Sequence, residues 1–258
     1  MHIIISPAKS LDFETKAPHT EALDIRFPKE AKQIASKLRK YKPDELMSLM
    51  KISSSLAQLN HHRFQLWAYP FDKKDTKAAL FAFKGDVYTG LDATSLNADE
   101  IAVANSKLRI LSGMYGLLRP LDQIMPYRLE MGTKLSVGKH KHLYELWGNK
   151  ITNLLESDMN EQESSVLINL ASNEYFKSIN KKQFTKKIIT PVFKDSKNGE
   201  YKVISFFAKK ARGLMTRFII QNQITDPEQL IAFNEAGYYF KADLSKGNEL
   251  VFVRDNAE

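Results

Sequence analysis

The side chains able to do chemistry in this chain are cations, carboxylates and hydroxyls, because Cys is absent. That absence removes disulfides, thiolate metal sites, iron–sulfur clusters and thiol nucleophiles together. Asp12, Glu130, Glu145 and Glu174 are available carboxylates, but no spacing pairs them for acid–base work. His140 and His142 bracket one lysine. Two histidines fall short of a transition-metal site, and no adjacent carboxylate or third histidine completes the set. No G-x-S-x-G, Walker loop or G-x-G-x-x-G occurs. The sequence therefore predicts no metal and no cofactor, and it names no catalytic residue. It leaves open a crevice assembled from distant segments. Ser6, Lys9, Arg119, Arg128 and Glu174 are the residues such a crevice would use, acting as an enzyme on a nucleotide or a nucleic-acid base.

The charge is more telling. Thirty-eight Lys and Arg oppose thirty Asp and Glu, for a net +8. Between Lys177 and Arg217, twelve Lys and Arg face only Asp195 and Glu200, a local charge of +10, and the remainder of the chain sums to −2. A basic patch of this size suggests a polyanion: nucleic acid, a phosphorylated ligand or an anionic membrane. Within it, a helix predicted over Phe207–Asn222 puts Phe207, Ala211, Leu214, Met215 and Phe218 on one stripe. Lys209, Lys210, Arg212 and Arg217 fall opposite, as a helix lying along phosphates requires.

A second constellation runs from Pro43 to Ala57. It resembles a helix-hairpin-helix, whose hairpin amides and second helix start bind phosphate. Leu49, Ile52 and Ala57 match its apolar positions. Lys51 and Ser53 stand where the motif has the two glycines that permit close backbone approach. Lys51, Ser53 and Ser54 would then contact phosphate by side chain. A third segment, Leu108 to Pro120, carries two glycines and reads as a loop leaving a strand end. Arg109, Arg119 and Arg128 would gather around it, with Lys84 and Lys9 near, at the place where α/β folds commonly bind ligands. Tyr88, Tyr115, Tyr127 and Tyr175 stand beside polar loop residues, where one or two could stack on a base.

The elements that must position these groups alternate. His2–Ser6 reads as a strand, Pro28–Arg39 as a helix, and two helices follow from Pro43 up to about residue 62. Ala79–Phe83 reads as a buried strand, Asp99–Lys107 and Leu143–Leu155 as helices, and Val166–Leu170 as a strand. Ile188–Phe193 and Tyr201–Phe206 flank Asn198-Gly199, a hairpin turn signal. Tyr238–Phe240 and Glu249–Val253 form a final hairpin. The expectation is one α/β to α+β domain over residues 1–258. It has a mixed β-sheet surrounded by helices and a helix-hairpin-helix-like element at about 43–62. Hydrophobic residues at 43% and charged residues at 26% are ordinary for a globular chain. The longest apolar runs are far below the ~18 residues of a spanning helix. Pro7 and Lys9 interrupt the first apolar run, so the chain reads as cytoplasmic with no membrane partner.

Six blocks carry a resemblance. Met1-His2-Ile3-Ile4-Ile5-Ser6-Pro7-Ala8-Lys9-Ser10-Leu11-Asp12 resembles the opening of the YaaA peroxide-stress family. Phe83–Leu91, Leu111–Asp122, Pro126–Gly132, Asn169–Phe176 and Phe207–Gly213 follow in that family's order. Ser10 and Asn173 depart from it, where Thr and Asp are familiar. The resemblance implies a cytosolic bacterial protein of the hydrogen-peroxide response, linked to limiting unincorporated iron and Fenton damage to DNA. It also implies DNA binding, a role in recombination repair, a helix-hairpin-helix and a positively charged cleft. The resulting expectation is a phosphate-led, largely sequence-independent DNA-binding protein for double-stranded, branched or bubbled DNA, without an obligate protein partner. Lys209, Lys210, Arg212 and Arg217 would line one wall of the cleft. Lys51, Ser53 and Ser54 would make the hairpin contact, and Lys84, Arg109, Arg119 and Arg128 would form the floor.

Overall fold

The computed structural model describes residues 1–18 and 21–255. In chain order its elements are β1 (His2–Ile5), β2 (Ser10–Leu11), α1 (Pro28–Leu38), α2 (Pro43–Met50), α3 (Ser54–Leu66), β3 (Lys77–Ala78), α4 (Ala79–Ala82), β4 (Phe83–Lys84), α5 (Asp86–Leu91) and α6 (Ala98–Lys107). There follow β5 (Leu108–Ser112), β6 (Gly116–Leu118), β7 (Gln123–Ile124), α7 (Leu143–Trp147), α8 (Lys150–Glu161), β8 (Val166–Leu170), α9 (Asn173–Phe176), β9 (Lys187–Lys197), β10 (Glu200–Lys202), α10 (Ser205–Gln221), β11 (Tyr239–Phe240) and β12 (Glu249–Arg254).

Ile3-Ile4-Ile5 has no polar face, so the strand holding it is stable only where both sides are covered. β1 accordingly sits in the middle of a mixed eight-stranded sheet and is buried throughout. It pairs in parallel with β5 on one side and β8 on the other. β8 continues in parallel to β9, and β9 to β12. β6, β10 and β11 are antiparallel additions at the margins. The chain leaves β1 for β5 and later returns to β1's other side as β8. The connections after β1 and β8 therefore diverge, and a crevice opens at their carboxyl ends. A single hydrophobic cluster holds the assembly, from Met1 to Phe252.

Local chemistry explains most helix limits. Pro28 sits in the first turn of α1, whose Ala31, Ile34, Ala35 and Leu38 are buried at helical spacing. α2 ends at Lys51, which stands in the left-handed region with φ 53°. Ser53 then caps α3 by accepting from the Leu56 amide. The structure establishes a helical hairpin there, with a lysine and a serine at its turn instead of two glycines.

Three sequence expectations are corrected. Ala79–Phe83 is not a strand: Ala79–Ala82 forms the helical turn α4, and only Phe83 joins β4. A short apolar run cannot be assigned by periodicity, because burial on all sides suits either conformation. Leu143–Leu155 is two helices, broken at Gly148 with φ 46°. The strand after Asn198-Gly199 stops at Lys202, because α10 begins at Ser205.

Two features place the crevice walls. β2 pairs with β4, setting Ser10 opposite Lys84. α5 and α10 cross with Gly90 and Gly213 at the contact, each against the other helix's backbone.

Candidate functional site

The carboxyl ends of β1 and β8 open into a cleft of about 410 Å³. Ser6–Ser10 enter it from β1, and Ser172, Glu174 and Tyr175 from β8. Lys84–Tyr88 lead into α5, α10 supplies Lys209 and Arg212, and Glu130 comes from the loop after β7. No segment nearer than its neighbours in sequence brings these together; the parallel pairing of β1 with β8 does.

Hydrogen bonds hold the floor. The Ser172 amide donates to Ser6 Oγ at 2.9 Å, and the two hydroxyls lie 3.3 Å apart. Tyr88 donates its phenol to the Ser6 carbonyl at 3.1 Å, fastening the start of α5 to the end of β1. Tyr88 is buried, which drives its pKa well above the ordinary phenol value and keeps it a donor.

The charges in the cleft are unequally satisfied. Lys9 Nζ is 2.8 Å from Glu130 Oε2, and Arg128 approaches the other Glu130 oxygen at 3.9 Å. Lys209 leans toward Asp86 at 4.0 Å. Glu174 Oε1 accepts the Gly132 amide at 2.8 Å, and its other oxygen has no hydrogen-bond or ion-pair partner among the described residues. Arg212 is half-buried and makes no hydrogen bond or ion pair among the described residues. Burial pushes the Arg212 pKa below the usual guanidinium value. A cation removed from water without a counter-charge is costly, and an arriving anion relieves that cost.

The residues that follow α9 form a second groove of about 360 Å³, holding Lys177, Lys181 and Lys182. Tyr144 joins the two: it lines this groove and donates to the Glu174 carbonyl at 2.9 Å. Cations thus line both grooves.

Of the residues singled out from sequence, Lys9, Lys84, Glu174, Lys209 and Arg212 meet in the cleft, with Arg128 beside Glu130. Lys210 is exposed on α10. Arg109 is elsewhere. It is 5% exposed and bonds Asp158, which also receives a two-pronged hydrogen bond from Arg26. Arg119 binds Asp122 at 2.8 Å and the Asp24 carbonyl. Neither lines the cleft, so the three arginines do not gather around the loop. Arg217 is not on a free cationic face; it donates to the Leu91 and Asp92 carbonyls and closes the end of α5. Lys51, Ser53 and Ser54 are exposed on the hairpin and do not line the cleft. Tyr88, Tyr115, Tyr127 and Tyr175 are all buried, so none is an open stacking surface. The exposed aromatic near the lysines is Phe206, 57% accessible.

Asp86 and Ser172 belong to the site and were not singled out. Their signal is positional: each follows the last residue of a strand by two. His142 caps α7 by accepting from the Glu145 amide at 3.2 Å. No group of three or more His, Asp or Glu residues able to hold a metal is found among the described residues. Among them, too, no helix is long and apolar enough to cross a membrane.

Fold and site together define a mixed α/β domain with a polar cleft at the switch point of its sheet. The family described as peroxide stress protein YaaA matches residues 1–244, and this chain belongs to it. Its relatives include a UPF0246 protein of Aliivibrio fischeri, 52% identical over 99% of this chain and 98% of the relative. Another is a UPF0246 protein of Hahella chejuensis, 50% identical over 99% of this chain and all of the relative. A third, from Idiomarina loihiensis, is 52% identical over 98% of both.

Proposed function

We propose that this protein serves the peroxide response in the cytoplasm by binding DNA through its phosphates, largely without regard to sequence. Bound there, it protects DNA from iron-driven oxidative damage. The observation that carries this reading is a pair of cationic grooves: Lys209 and Arg212 in the cleft, and Lys177, Lys181 and Lys182 in the groove formed after α9. Lys210 extends the first. Phosphate contacts set affinity and position, and they need cations spread along a track more than they need a shaped pocket. Phe206, exposed one turn before Lys209 and Lys210, suits an unpaired base in bubbled or branched DNA. Lys51, Ser53 and Ser54 would add a separate hairpin contact.

The test is fluorescence anisotropy of labelled duplex and bubbled DNA across a salt series. Six engaged phosphates predict a log–log slope of about −5 on duplex. Replacing Lys177, Lys181 and Lys182 by Ala should flatten that slope by about 3 while leaving the melting temperature unchanged. Saturable binding with a slope near zero, or an unaltered slope in the triple variant, removes the reading.

A further inference from the structure

The cleft at the ends of β1 and β8 holds more than a contact to a DNA phosphate requires. At about 410 Å³ it has the size of a small-ligand site, for which roughly 300–1,000 Å³ is usual. Its charges are mixed, whereas a backbone groove is of one sign. Lys9 is neutralised by Glu130 at 2.8 Å, and Lys209 is drawn to Asp86. Three groups are left over among the described residues, the exposed Lys84 being one. Arg212 is a half-buried cation with no partner among the described residues, and Glu174 offers one carboxylate oxygen after the other has taken the Gly132 amide. Pro7, Ala8 and Val87 supply apolar wall to the cleft. A ligand that completes this arrangement carries a compact anion at one end and N–H or O–H donors at the other, joined by a flat or apolar body.

We propose that the cleft is a binding site for a single nucleoside phosphate, with Arg212 receiving the phosphate and Glu174 the donors of the base or sugar. The inference rests on reading this cleft as an anion site and not on duplex binding. Arg212 is suited to the role because its planar donors engage two phosphate oxygens at once. Glu174 is a discriminating group: it is half-buried, and its free carboxylate oxygen favours a ligand that brings a donor to it. The Ser172 hydroxyl, which accepts from Ser6, can give and accept a further bond, and the Ser6 hydroxyl, which already donates to Ser172, can accept one more.

The experiment is isothermal titration calorimetry of the full chain with AMP, GMP, CMP and UMP. Free nucleosides, ribose 5-phosphate, inorganic phosphate and a mixture of amino acids serve as comparators. At least one nucleotide should bind with one-to-one stoichiometry in the micromolar range. Arg212→Met should weaken it by about 30-fold or more, the loss expected when one partner of a desolvated charge pair is truncated, while Arg212→Lys keeps part of the affinity. Glu174→Gln should erase the preference for the nucleotide over ribose 5-phosphate, with the thermal melting midpoint of each variant recorded as a folding check. The proposal is overturned if no nucleotide binds at millimolar concentration. It is equally overturned if inorganic phosphate or an amino acid binds as tightly, or if Glu174→Gln leaves the preference intact. The Lys177/Lys181/Lys182 variant separates the two readings: it should lose duplex affinity and keep nucleotide affinity. Duplex binding without nucleotide binding sinks only this inference, and the reverse sinks only the DNA reading.

Discussion

Gly90 of α5 and Gly213 of α10 sit at one helix crossing, each pressed onto the other helix's backbone. A Cβ on Gly213 would stand 1.9 Å from the Val87 carbonyl oxygen, and one on Gly90 would stand 2.1 Å from that of Lys210. The absence of both side chains lets α10 come close enough for Arg212 to reach the cleft beside Lys84–Tyr88. The pair sets the geometry of one wall without touching any ligand.

Gly213→Ala is therefore expected to destabilise the protein. Helix propensity alone would favour Ala by about 1 kcal/mol. Overpacking against backbone that cannot rotate away costs about 3 kcal/mol, the upper end of the usual range, and wins. Urea denaturation checks this, and a neutral or stabilised variant would show that the helices separate freely.

Asp158→Asn should cost about 3–5 kcal/mol, because it leaves the buried Arg109 and the half-buried Arg26 without their shared anion. Burial works against the Asp158 carboxylate, but hydrogen bonds from Arg26 and the charge of Arg109 prevail and hold its pKa below the ordinary value. Arg109 is lowered in turn, because burial penalises it and it shares one carboxylate with a second arginine. The carboxylate's contribution is present above the unfolded value of 3.8 and is lost as pH falls through the lower folded value. Denaturation at pH 7 and at pH 3 should show a smaller penalty for the variant at the lower pH.

His2 gives a pH dependence of its own. Burial, reinforced by the positive charges of Arg109 and the terminal amine, drives its pKa from 6.5 down to about 3. It is neutral in the folded protein and bonded to Ser164 at 2.8 Å. Between these two values the unfolded chain binds the extra proton, so stability should fall as pH drops from 6.5 toward 3, by up to about 1.4 kcal/mol per unit. In His2→Asn that component of the slope should vanish. An unchanged slope from pH 6 to pH 4 would mean that His2 titrates normally.

Lys51→Gly separates the hairpin's stability from its charge. Lys51 holds φ 53°, a conformation that glycine adopts without strain. The variant should be as stable as the parent or up to about 1 kcal/mol more so. If Lys51 contacts phosphate, the duplex salt slope should fall by about 1. A stable variant with an unaltered slope would remove the hairpin from the DNA surface.

Much of the architecture was legible because it is written locally. Ile3–Ile5 and Val166–Leu170 are continuous apolar runs that only a covered strand accommodates, and both lie at the sheet centre. Asn198-Gly199 marks its hairpin by a turn that tolerates positive φ, here 55° and 77°. Pro28 and Pro43 announce helix starts by fixing φ. The apolar face of α10 follows from its period, with Ala211 and Met215 buried as expected. Charge counting likewise located the basic region. What it could not decide was which cations are free. Arg109 and Arg212 look alike in sequence, yet one is neutralised by a carboxylate 49 residues away and the other has no partner among the described residues. The pairing of β1 with β5 and β8, and the contact of Gly90 with α10, settle that difference. A residue's own type sets the charge it brings; only long-range packing sets whether another charge has already met it.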